Sequence, residues 1–354
     1  MQLEFNVTYF IIFSLISFLT TFFIAKYLKI FFSNSLLDDD FSKPQAFHKK
    51  PVARAGGIAI FILFTLFILF YFFSTDILLK DYFIISLFLF FLGFLDDLKI
   101  KINPNIRLFL MILVLTISIS IFSFQINKTG LEFLNLWLEN NIFQTCFVLL
   151  CFLFIVNGAN LIDGYNGLLA IHFLIINFIL LIVNLNNQNH DISLILISQI
   201  IIVFSFLFFN FPRARIFLGD AGSYLCGSLI VVNTIKTHQL NLDISPFFYA
   251  SILFYLFFEV FFSFIRKILK KKSPLRPDSL HLHMLLYNFF LKSKKYVNSN
   301  YKTALSINLI YFILIIPTFY FQNNGIFSRY YFLFLITFYI LTYYLLLRKK
   351  NANI

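Results

Sequence analysis

Two adjacent carboxylates, Asp96 and Asp97, close an apolar run of the chain. They follow Leu95 directly, so both lie in the last turn of a predicted helix, where the helix dipole disfavours negative charge. One interpretation is a solvated helix end whose charge is neutralised by Lys99 and Lys101. The other is a divalent-metal site, because Mg²⁺ favours one or two carboxylates combined with substrate phosphates.

A second polar stretch, residues 157–168, carries Asn157, Asn160, Asp163 and Asn166 at every third position. In a helix, this spacing places the four side chains along one slowly drifting face. The accompanying glycines would equally suit a turn. Asp163 is the only charged residue of the stretch. A row of amides without Lys or Arg is more typical of a lined cavity than of a solvated loop.

Glycines surround a further carboxylate, Asp220, at the start of another apolar run. Gly219 and Gly222 flank it, and glycine allows a ligand to approach the backbone closely. The free N–H groups at the start of the predicted helix would point at an anion. The alternative is ordinary N-capping of these groups by Asp220 or Ser223.

The longest internal polar segment, about residues 266–302, contains two of the six histidines, His281 and His283. An i,i+2 pair shares one face of a strand but lies about 200° apart on a helix. If the segment is helical, the two rings cannot reach one ligand atom, whereas an extended turn would allow it. A purely structural role for both histidines is the alternative.

Cations and glycines precede another apolar run between His48 and Gly57, a stretch that includes Arg54. Ordinary charge at the end of a membrane span and a contact to a phosphate both explain them. A separate carboxylate, Glu259, lies within an apolar segment. Because a charge is costly in hydrocarbon, we expect Glu259 to face the interior of a helix bundle.

Membrane helices must position these residues. Hydrophobic residues make up 60% of the 354-residue chain and charged residues 12%, whereas soluble domains carry about 25% charge. A soluble globular protein and a disordered chain are therefore excluded. Because a spanning helix takes about 20 apolar residues, we predict an all-α polytopic helical bundle, one domain over residues 1–354, with eleven apolar segments at about 8–26, 57–73, 81–95, 106–124, 143–156, 169–184, 192–209, 223–235, 247–265, 303–321 and 326–347.

The distribution of Lys and Arg orients this bundle. With the N-terminus outside, the connections after the odd-numbered segments hold 24 of the 28 basic residues, and the positive-inside rule makes that side cytoplasmic. Topology thus explains most of the net charge of +12, and nucleic acid is not needed as a partner. The polar stretches all fall on the cytoplasmic side, in loops at about 27–56, 96–105, 157–168, 210–222 and 266–302. One shared, metal-dependent site for a phosphorylated substrate is the simplest interpretation.

Five motifs, taken in order, resemble the signatures of the polyprenyl-phosphate N-acetylhexosamine-1-phosphate transferases. That family includes enzymes that use UDP-N-acetylglucosamine and others that use a muramoyl-pentapeptide nucleotide. Asn166 departs from the commoner pattern, which has a second Asp there, and Met284 stands where many members have another His. The motifs are His48…Arg54-Ala55-Gly56-Gly57, Gly93-Phe94-Leu95-Asp96-Asp97, Asn157…Asn160-Leu161-Ile162-Asp163-Gly164, Ile216-Phe217-Leu218-Gly219-Asp220-Ala221-Gly222-Ser223 and Pro277-Asp278…His281-Leu282-His283.

The resemblance implies transfer of a sugar-1-phosphate from a UDP-sugar to undecaprenyl phosphate, with release of UMP and with Mg²⁺, or Mn²⁺ in its place, as the cofactor. It implies Asp220, Asp96 and Asp163 as metal ligands. It implies catalytic roles for Asp96, Asp97, His281 and His283. Substrate contacts are implied for His48, Arg54, Asn157, Asn160, Asp163, Asn166 and Gly219.

The same resemblance implies a multi-pass protein of the bacterial inner (cytoplasmic) membrane, with its site on the cytoplasmic face. The lipid bilayer is then a necessary partner, and a homodimer is compatible with this organisation. We expect a UDP-N-acetylhexosamine without a peptide as the donor. The competing class is a secondary transporter, but transporter sites lie near the bilayer midplane on broken helices, whereas these carboxylates lie at predicted helix ends.

The topology makes a direct prediction. A reporter fused after Arg348 is expected to be cytoplasmic, and one inserted near Asn187 is expected to be external, because an odd number of predicted segments separates the two sites. Paired fusions to a phosphatase that is active only outside the cell and to a fluorescent protein that folds only inside would measure this. Finding both sites on the same side would contradict the predicted orientation and the single shared site.

Overall fold

The computed structural model describes residues 7–31, 35–39, 51–100, 102–273, 278–292 and 299–351. Helices dominate these residues, and three strands of two or three residues accompany them. The helices are α1 (Val7–Phe31), α2 (Gly56–Thr75), α3 (Lys80–Asp97), α4 (Pro104–Phe122), α5 (Glu132–Leu138), α6 (Asn141–Ile162), α7 (Leu168–Asn186), α8 (His190–Asn210), α9 (Gly219–Leu240), α10 (Pro246–Ile252), α11 (Phe254–Leu269), α12 (Leu282–Lys292), α13 (Ser299–Tyr320) and α14 (Gly325–Asn351).

The chain is a multi-pass, predominantly helical membrane protein. Among the described residues, eight helices are long and apolar enough to cross a bilayer, and the bent pair α10–α11, with 74° between its parts, would make a ninth. Each of the eleven predicted segments coincides with a helix or with this pair. The two helices that are long enough, at 18 and 22 residues, but not apolar enough are α3 and α9, so the count of eleven stays a prediction.

Helix α9 lies at the centre of the bundle, against α2, α3, α6 and α7. It is rich in small and polar residues, and nearly all of them are buried in protein. Two glycines of its neighbours allow very close backbone approach. A Cβ at Gly93 would lie 2.4 Å from the backbone of Asp220, and one at Gly57 would lie 2.4 Å from the Gly222 nitrogen. The facing glycines thus decide where α9 begins relative to α2 and α3.

Buried polar side chains also join α9 to its neighbours within the membrane region. The Asn233 amide donates to Gln199 on α8 at 2.6 Å and to Asn177 on α7 at 3.0 Å, while Tyr82 on α3 donates to Asn233 at 2.8 Å. Without water, each such group must find its partner in protein. This network therefore fixes the rotation of α9 within the bundle.

A small sheet connects two of the polar segments, 27–56 and 210–222, which the sequence predicted only as loops. Strand β1 (Leu37–Asp38) pairs antiparallel with β2 (Val52–Arg54), and β2 pairs parallel with β3 (Ile216–Phe217). These short strands satisfy backbone groups that would otherwise need water, within a fold that is otherwise helical, as predicted. The register sets Arg54 opposite Phe217, two residues before α9 begins.

The close approach at Gly93 can be tested by substitution. We expect Gly93→Ala to destabilise the protein by about 1–3 kcal/mol, the usual cost of overpacking, because the methyl group would collide with the Asp220 backbone. Gly325→Ala is the matched control, since the nearest atom to its added Cβ is 3.9 Å away. Thermal unfolding of both variants in detergent measures the difference. Equal midpoints would show that α3 and α9 are not in this contact.

Candidate active site

The carboxylate of Asp97, at the end of α3, caps the beginning of α9. Its two oxygens accept hydrogen bonds from the backbone N–H groups of Asp220, at 3.0 Å, and Ala221, at 2.9 Å. The negative charge that is unfavourable at the end of α3 therefore meets the positive end of the α9 dipole. Gly219, with φ of +77°, makes the turn, and a Cβ there would lie 2.5 Å from Asp97 Oδ2.

This arrangement differs from both sequence interpretations of the glycine-rich segment. The N–H groups of residues 220 and 221 point at an anion, but the anion is the side chain of Asp97 on another helix. No side chain of the described residues next to the helix start caps them. Gly219 is needed for this contact between helices, since any larger residue would displace the Asp97 carboxylate.

Arginines, rather than the nearby lysines, neutralise the carboxylate pair. Arg54 lies 3.4 Å from Asp97 and 3.0 Å from Asp38, so it bridges the sheet and α3. Asp96 forms an ion pair with Arg107. The predicted partner Lys99 pairs instead with Asp39 at 2.8 Å, and Lys101 lies outside the described residues.

Arg107 is a site residue that sequence reasoning missed. Its guanidinium contacts Asp96 and lies 5.9 Å from the ring centre of Tyr224 on α9. The available signal was an arginine in the first turn of an otherwise apolar run, only eleven residues after Asp96. In the sequence, a cation at the end of a span is explained equally well by the positive-inside rule.

The amide stripe is divided between a helix and a turn. Asn157 and Asn160 lie on α6, which ends at Ile162, so Asp163 and Asn166 follow in the turn. Asn160 donates to the Asp220 carboxylate and contacts the Ser223 hydroxyl, both at 3.1 Å. Asn157 bonds the Leu153 carbonyl of its own helix at 2.7 Å.

Asn166 anchors the turn rather than contacting the carboxylates. Its backbone N–H donates to Asn300 at 2.8 Å, and its side-chain amide donates to the Pro212 carbonyl at 3.0 Å. The adjacent Gly167 N–H donates to Asn210 at 2.6 Å. These contacts join the turn to the end of α8 and the start of α13, and so hold Asp163 in place.

Asp163 shows that the site carries an excess of negative charge. Burial raises its pKa well above the usual range, and the charges of Asp220 and Asp97 raise it further, while Arg54 opposes them. No described residue donates a hydrogen bond to its carboxylate. Four carboxylates thus share the region with two arginines, and a cation would relieve the imbalance.

The donor set fits Mg²⁺, provided that the substrate completes the coordination. Within the described part of the chain, the Asp220 carboxylate accepts from Asn160 and no group donates to the Asp163 carboxylate, so both have oxygens to offer. The described residues contain no group of three or more acidic, His or Cys side chains placed to hold a metal alone. Mg²⁺ is commonly held by one or two carboxylates together with phosphates and waters.

The two histidines of the last sequence motif lie in a second cluster, built around Glu259. This glutamate of α11 is buried, as predicted, and accepts from His281 Nδ1 at 3.0 Å, the Leu282 N–H at 3.0 Å and the Tyr339 hydroxyl at 2.8 Å. His281 Nε2 lies 3.3 Å from Asp278, which in turn pairs with Arg266 at 2.9 Å.

The histidine rings stack face to face in spite of the i,i+2 spacing. Their planes differ by 3° and their centres are 5.5 Å apart, because His281 precedes α12 while His283 lies in its first turn. Tyr165, in the turn after α6, packs edge-on against His283 at 5.6 Å. The histidine cluster therefore adjoins the turn that carries Asp163.

The structure thus brings most of the candidate residues to one end of the bundle. Asp96, Asp97, Asn160, Asp220 and Arg54 form one connected set. The histidine cluster is joined to it through the 163–166 turn, and Asn157 lies one helical turn before Asn160. His48 lies outside the described residues, as do residues 274–277 of the last motif.

Comparisons with known proteins show which family the chain resembles. Residues 79–238 match the family model described as glycosyl transferase family 4. The chain is 28% identical over 344 residues to an undecaprenyl-phosphate alpha-N-acetylglucosaminyl 1-phosphate transferase of Thermotoga maritima, covering 94% of this chain and 97% of the relative. A probable undecaprenyl-phosphate N-acetylglucosaminyl 1-phosphate transferase of Bacillus subtilis is 27% identical, covering 82% and 78%.

A second group of relatives is similar over a shorter stretch. The phospho-N-acetylmuramoyl-pentapeptide-transferase of Streptococcus sanguinis is 30% identical over 154 residues, which cover 42% of this chain and 47% of the relative. The family resemblance predicted from the five motifs is confirmed by these matches.

The three hydrogen bonds that Glu259 accepts lead to a testable prediction. Glu259→Leu would leave His281, the Leu282 N–H and Tyr339 without their acceptor, and each unpaired buried group costs about 1–3 kcal/mol. We expect Glu259→Leu to unfold at a much lower temperature than Tyr339→Phe, the control that removes one donor only. Thermal unfolding in detergent measures both. Equal stability of the two variants would contradict the central place of Glu259.

Proposed function

We infer that the protein transfers an N-acetylhexosamine-1-phosphate from a UDP-sugar to undecaprenyl phosphate and releases UMP, because residues 79–238 match the model of glycosyl transferase family 4. The full-length similarity to transferases whose names specify undecaprenyl phosphate and N-acetylglucosamine supports this proposal. We further propose that the product initiates a cell-envelope glycan. The reaction would take place at the bacterial cytoplasmic membrane, on its cytoplasmic face.

The observation that carries the proposal is the junction of α3 with α9. The Asp97 hydrogen bonds to residues 220 and 221 set the Asp220 carboxylate beside Asn160 and close to the two arginines. Carboxylates and cations at one end of a membrane bundle suit a substrate pair in which both partners carry phosphate. One partner is soluble, and the other is held in the bilayer by its hydrocarbon tail.

We propose Asp220 and Asp163 as the residues that hold Mg²⁺, with Asp96 close by in its ion pair with Arg107. When bound there, Mg²⁺ would neutralise charge on the transferred phosphate and orient the pyrophosphate. Mn²⁺ would fill the same role. Because the pKa of Asp163 is raised, its carboxylate is stabilised in the charged form only when a cation is near.

The bond changes follow from the two substrates. An oxygen of the lipid phosphate attacks the phosphorus next to the sugar, the bond from that phosphorus to the bridging oxygen breaks, and UMP leaves with the electron pair. A phosphate with a second pKa near 6 is largely dianionic at neutral pH, so this attack needs no general base. Arg54 and His283 would bind phosphate oxygens and stabilise the charge that develops.

Asp97 takes a positioning role in this proposal. Both of its oxygens already accept backbone hydrogen bonds, and one of them also faces Arg54. A carboxylate held in this way orients α9 and Arg54 and has little freedom to attack a phosphorus. His281 faces Glu259 and Asp278 with its two ring nitrogens, so these carboxylates fix the ring against which His283 packs.

A donor comparison tests the proposed function. Purified protein is incubated with undecaprenyl phosphate and either UDP-N-acetylglucosamine, related UDP-N-acetylhexosamines or the muramoyl-pentapeptide nucleotide, and UMP and the lipid-linked sugar are both measured. We expect a higher kcat/KM for a donor without peptide, because a pentapeptide needs partners for amides that cost about 1–3 kcal/mol each when buried unpaired. Preference for the pentapeptide donor would overturn the substrate assignment, and absence of any lipid-linked product would overturn the reaction.

Metal dependence makes a further prediction at Asp220. Asp220→Asn should lower kcat about 100-fold or more, since a metal supplies several kcal/mol of charge stabilisation in the transition state. Asp243→Asn, at an exposed carboxylate near the other end of α9, is the control and should leave turnover unchanged. Steady-state rates with and without added Mg²⁺ measure both. Full turnover of the unsubstituted protein in EDTA would rule out the metal.

A further inference from the structure

A cavity lies at the end of α9 that is opposite to the candidate active site. Its walls come from α6, α9, α10 and the segment between α4 and α5. His238 borders it, and the helical rise from Asp220 to His238 is about 27 Å. The cavity therefore lies near the far side of the bundle and is separate from the residues proposed to act on the substrates.

The lining of the cavity is too apolar to hold water well. It has a volume of about 190 Å³ and is lined almost entirely by carbon. Apolar cavities of about 150 Å³ in proteins stay dry and bind small apolar molecules. Representative wall residues are Phe147, Ile155, Val231, Ile235, Phe247 and Leu253.

One buried polar side chain of the wall has no partner in protein. His238 is 4% exposed, and neither of its ring nitrogens meets a hydrogen-bond partner among the described residues. Its ring packs edge-on against Tyr249, which also lines the cavity. In its neutral form, an imidazole offers one donor and one acceptor. A polar group within an apolar occupant would satisfy His238, and a purely hydrocarbon occupant would not.

The rim of the cavity carries positive charge. Lys128 and Thr129 lie at the rim, in the segment between α4 and α5. Arg329 donates to the Gly130 carbonyl and lies 5.7 Å from the ring centre of Phe247, a wall residue. A matching occupant would have three parts in order. Its anionic head would meet the rim, its polar linkage would meet His238, and its hydrocarbon body would fill the space between the walls.

We propose that this cavity binds one acyl chain of an anionic phospholipid from the bilayer. The chain packs against the apolar walls, a glycerol ester carbonyl accepts from His238, and the phosphate pairs with Lys128. Phospholipids carry these three groups in this order and surround the helices that form the cavity. The site would hold a structural lipid between α6, α9 and α10, in addition to the substrates of the proposed reaction.

Quenching of tryptophan fluorescence by brominated lipid tests the proposal. Trp137 is the single tryptophan of the chain, so Trp137→Phe gives a silent background. Phe147→Trp then reports from the cavity wall, and Phe178→Trp, at a side chain that is 51% exposed on α7, reports from the lipid-facing surface. Phosphatidylglycerol with brominated acyl chains is titrated into the full-length protein in detergent.

We expect saturable quenching at position 147 near one lipid per chain, with only weak, unsaturated quenching at 178. Lys128→Gln should weaken the apparent affinity about fivefold, the effect of one cation on an anionic head group. Lys80→Gln, at an exposed lysine that does not line the cavity, is the matched control and should have no effect. Brominated phosphatidylcholine should bind more weakly than phosphatidylglycerol.

Filling the cavity provides an independent variant. Ala250→Leu places a larger side chain in the wall and should abolish saturable quenching. If this variant does not fold, His238→Phe, which removes the donor to the ester carbonyl, should weaken the saturable quenching. Equal, unsaturated quenching at 147 and 178 would overturn the proposal. Displacement of the brominated phospholipid by undecaprenyl phosphate at equal concentration would also overturn it, because the polyprenyl tail would then be the occupant.

Discussion

The candidate site depends on the pair of hydrogen bonds that the Asp97 carboxylate accepts from the backbone of Asp220 and Ala221. These bonds join the end of one membrane helix to the start of another, with opposite ends of two helix dipoles in contact. The carboxylate is 2% exposed, so the interaction acts where the dielectric is low and charge is costly to leave unmatched. Asp220 is held at the first turn of α9 as a direct result.

The other components of the site follow from this junction. Gly93 and Gly219 leave the space that the contact needs, and Arg54 reaches Asp97 because β2 runs beside the strand that leads into α9. Asn160 then finds the Asp220 carboxylate from the side of α6. Around this point there are more carboxylates than arginines. A site with that balance is suited to hold a cation together with phosphate.

The sequence predicts the helices and the set of polar segments because both depend on composition and local order. It also predicts that a cation must offset Asp96 and Asp97, but it does not identify Arg54 and Arg107. Lys99 is nearer in the chain, whereas the actual partners are brought in by tertiary packing. The small sheet is unpredictable for a similar reason, since strands of two or three residues have no readable periodicity.

The burial of a charged side chain is easier to predict from sequence than its hydrogen-bond partners. Glu259 is correctly expected to face the interior, because a charge in hydrocarbon is costly, yet its bonds to His281 and Tyr339 link segments 22 and 80 residues away. Asn166 shows the converse case. Its place in a regular row suggests a functional face, but α6 ends four residues earlier and the side chain secures a turn. Spacing alone cannot show where a helix stops.

The buried position of α9 has a consequence for biosynthesis. A helix so rich in glycine and serine gains little free energy by entering hydrocarbon alone, and its stability in the membrane comes from close packing with other helices. The helices that surround it, α2, α3, α6 and α7, all precede it in the chain. Because synthesis proceeds from the N-terminus, these helices are available to receive α9 as it emerges. The candidate site at the start of α9 is therefore assembled only after these four helices have been synthesised.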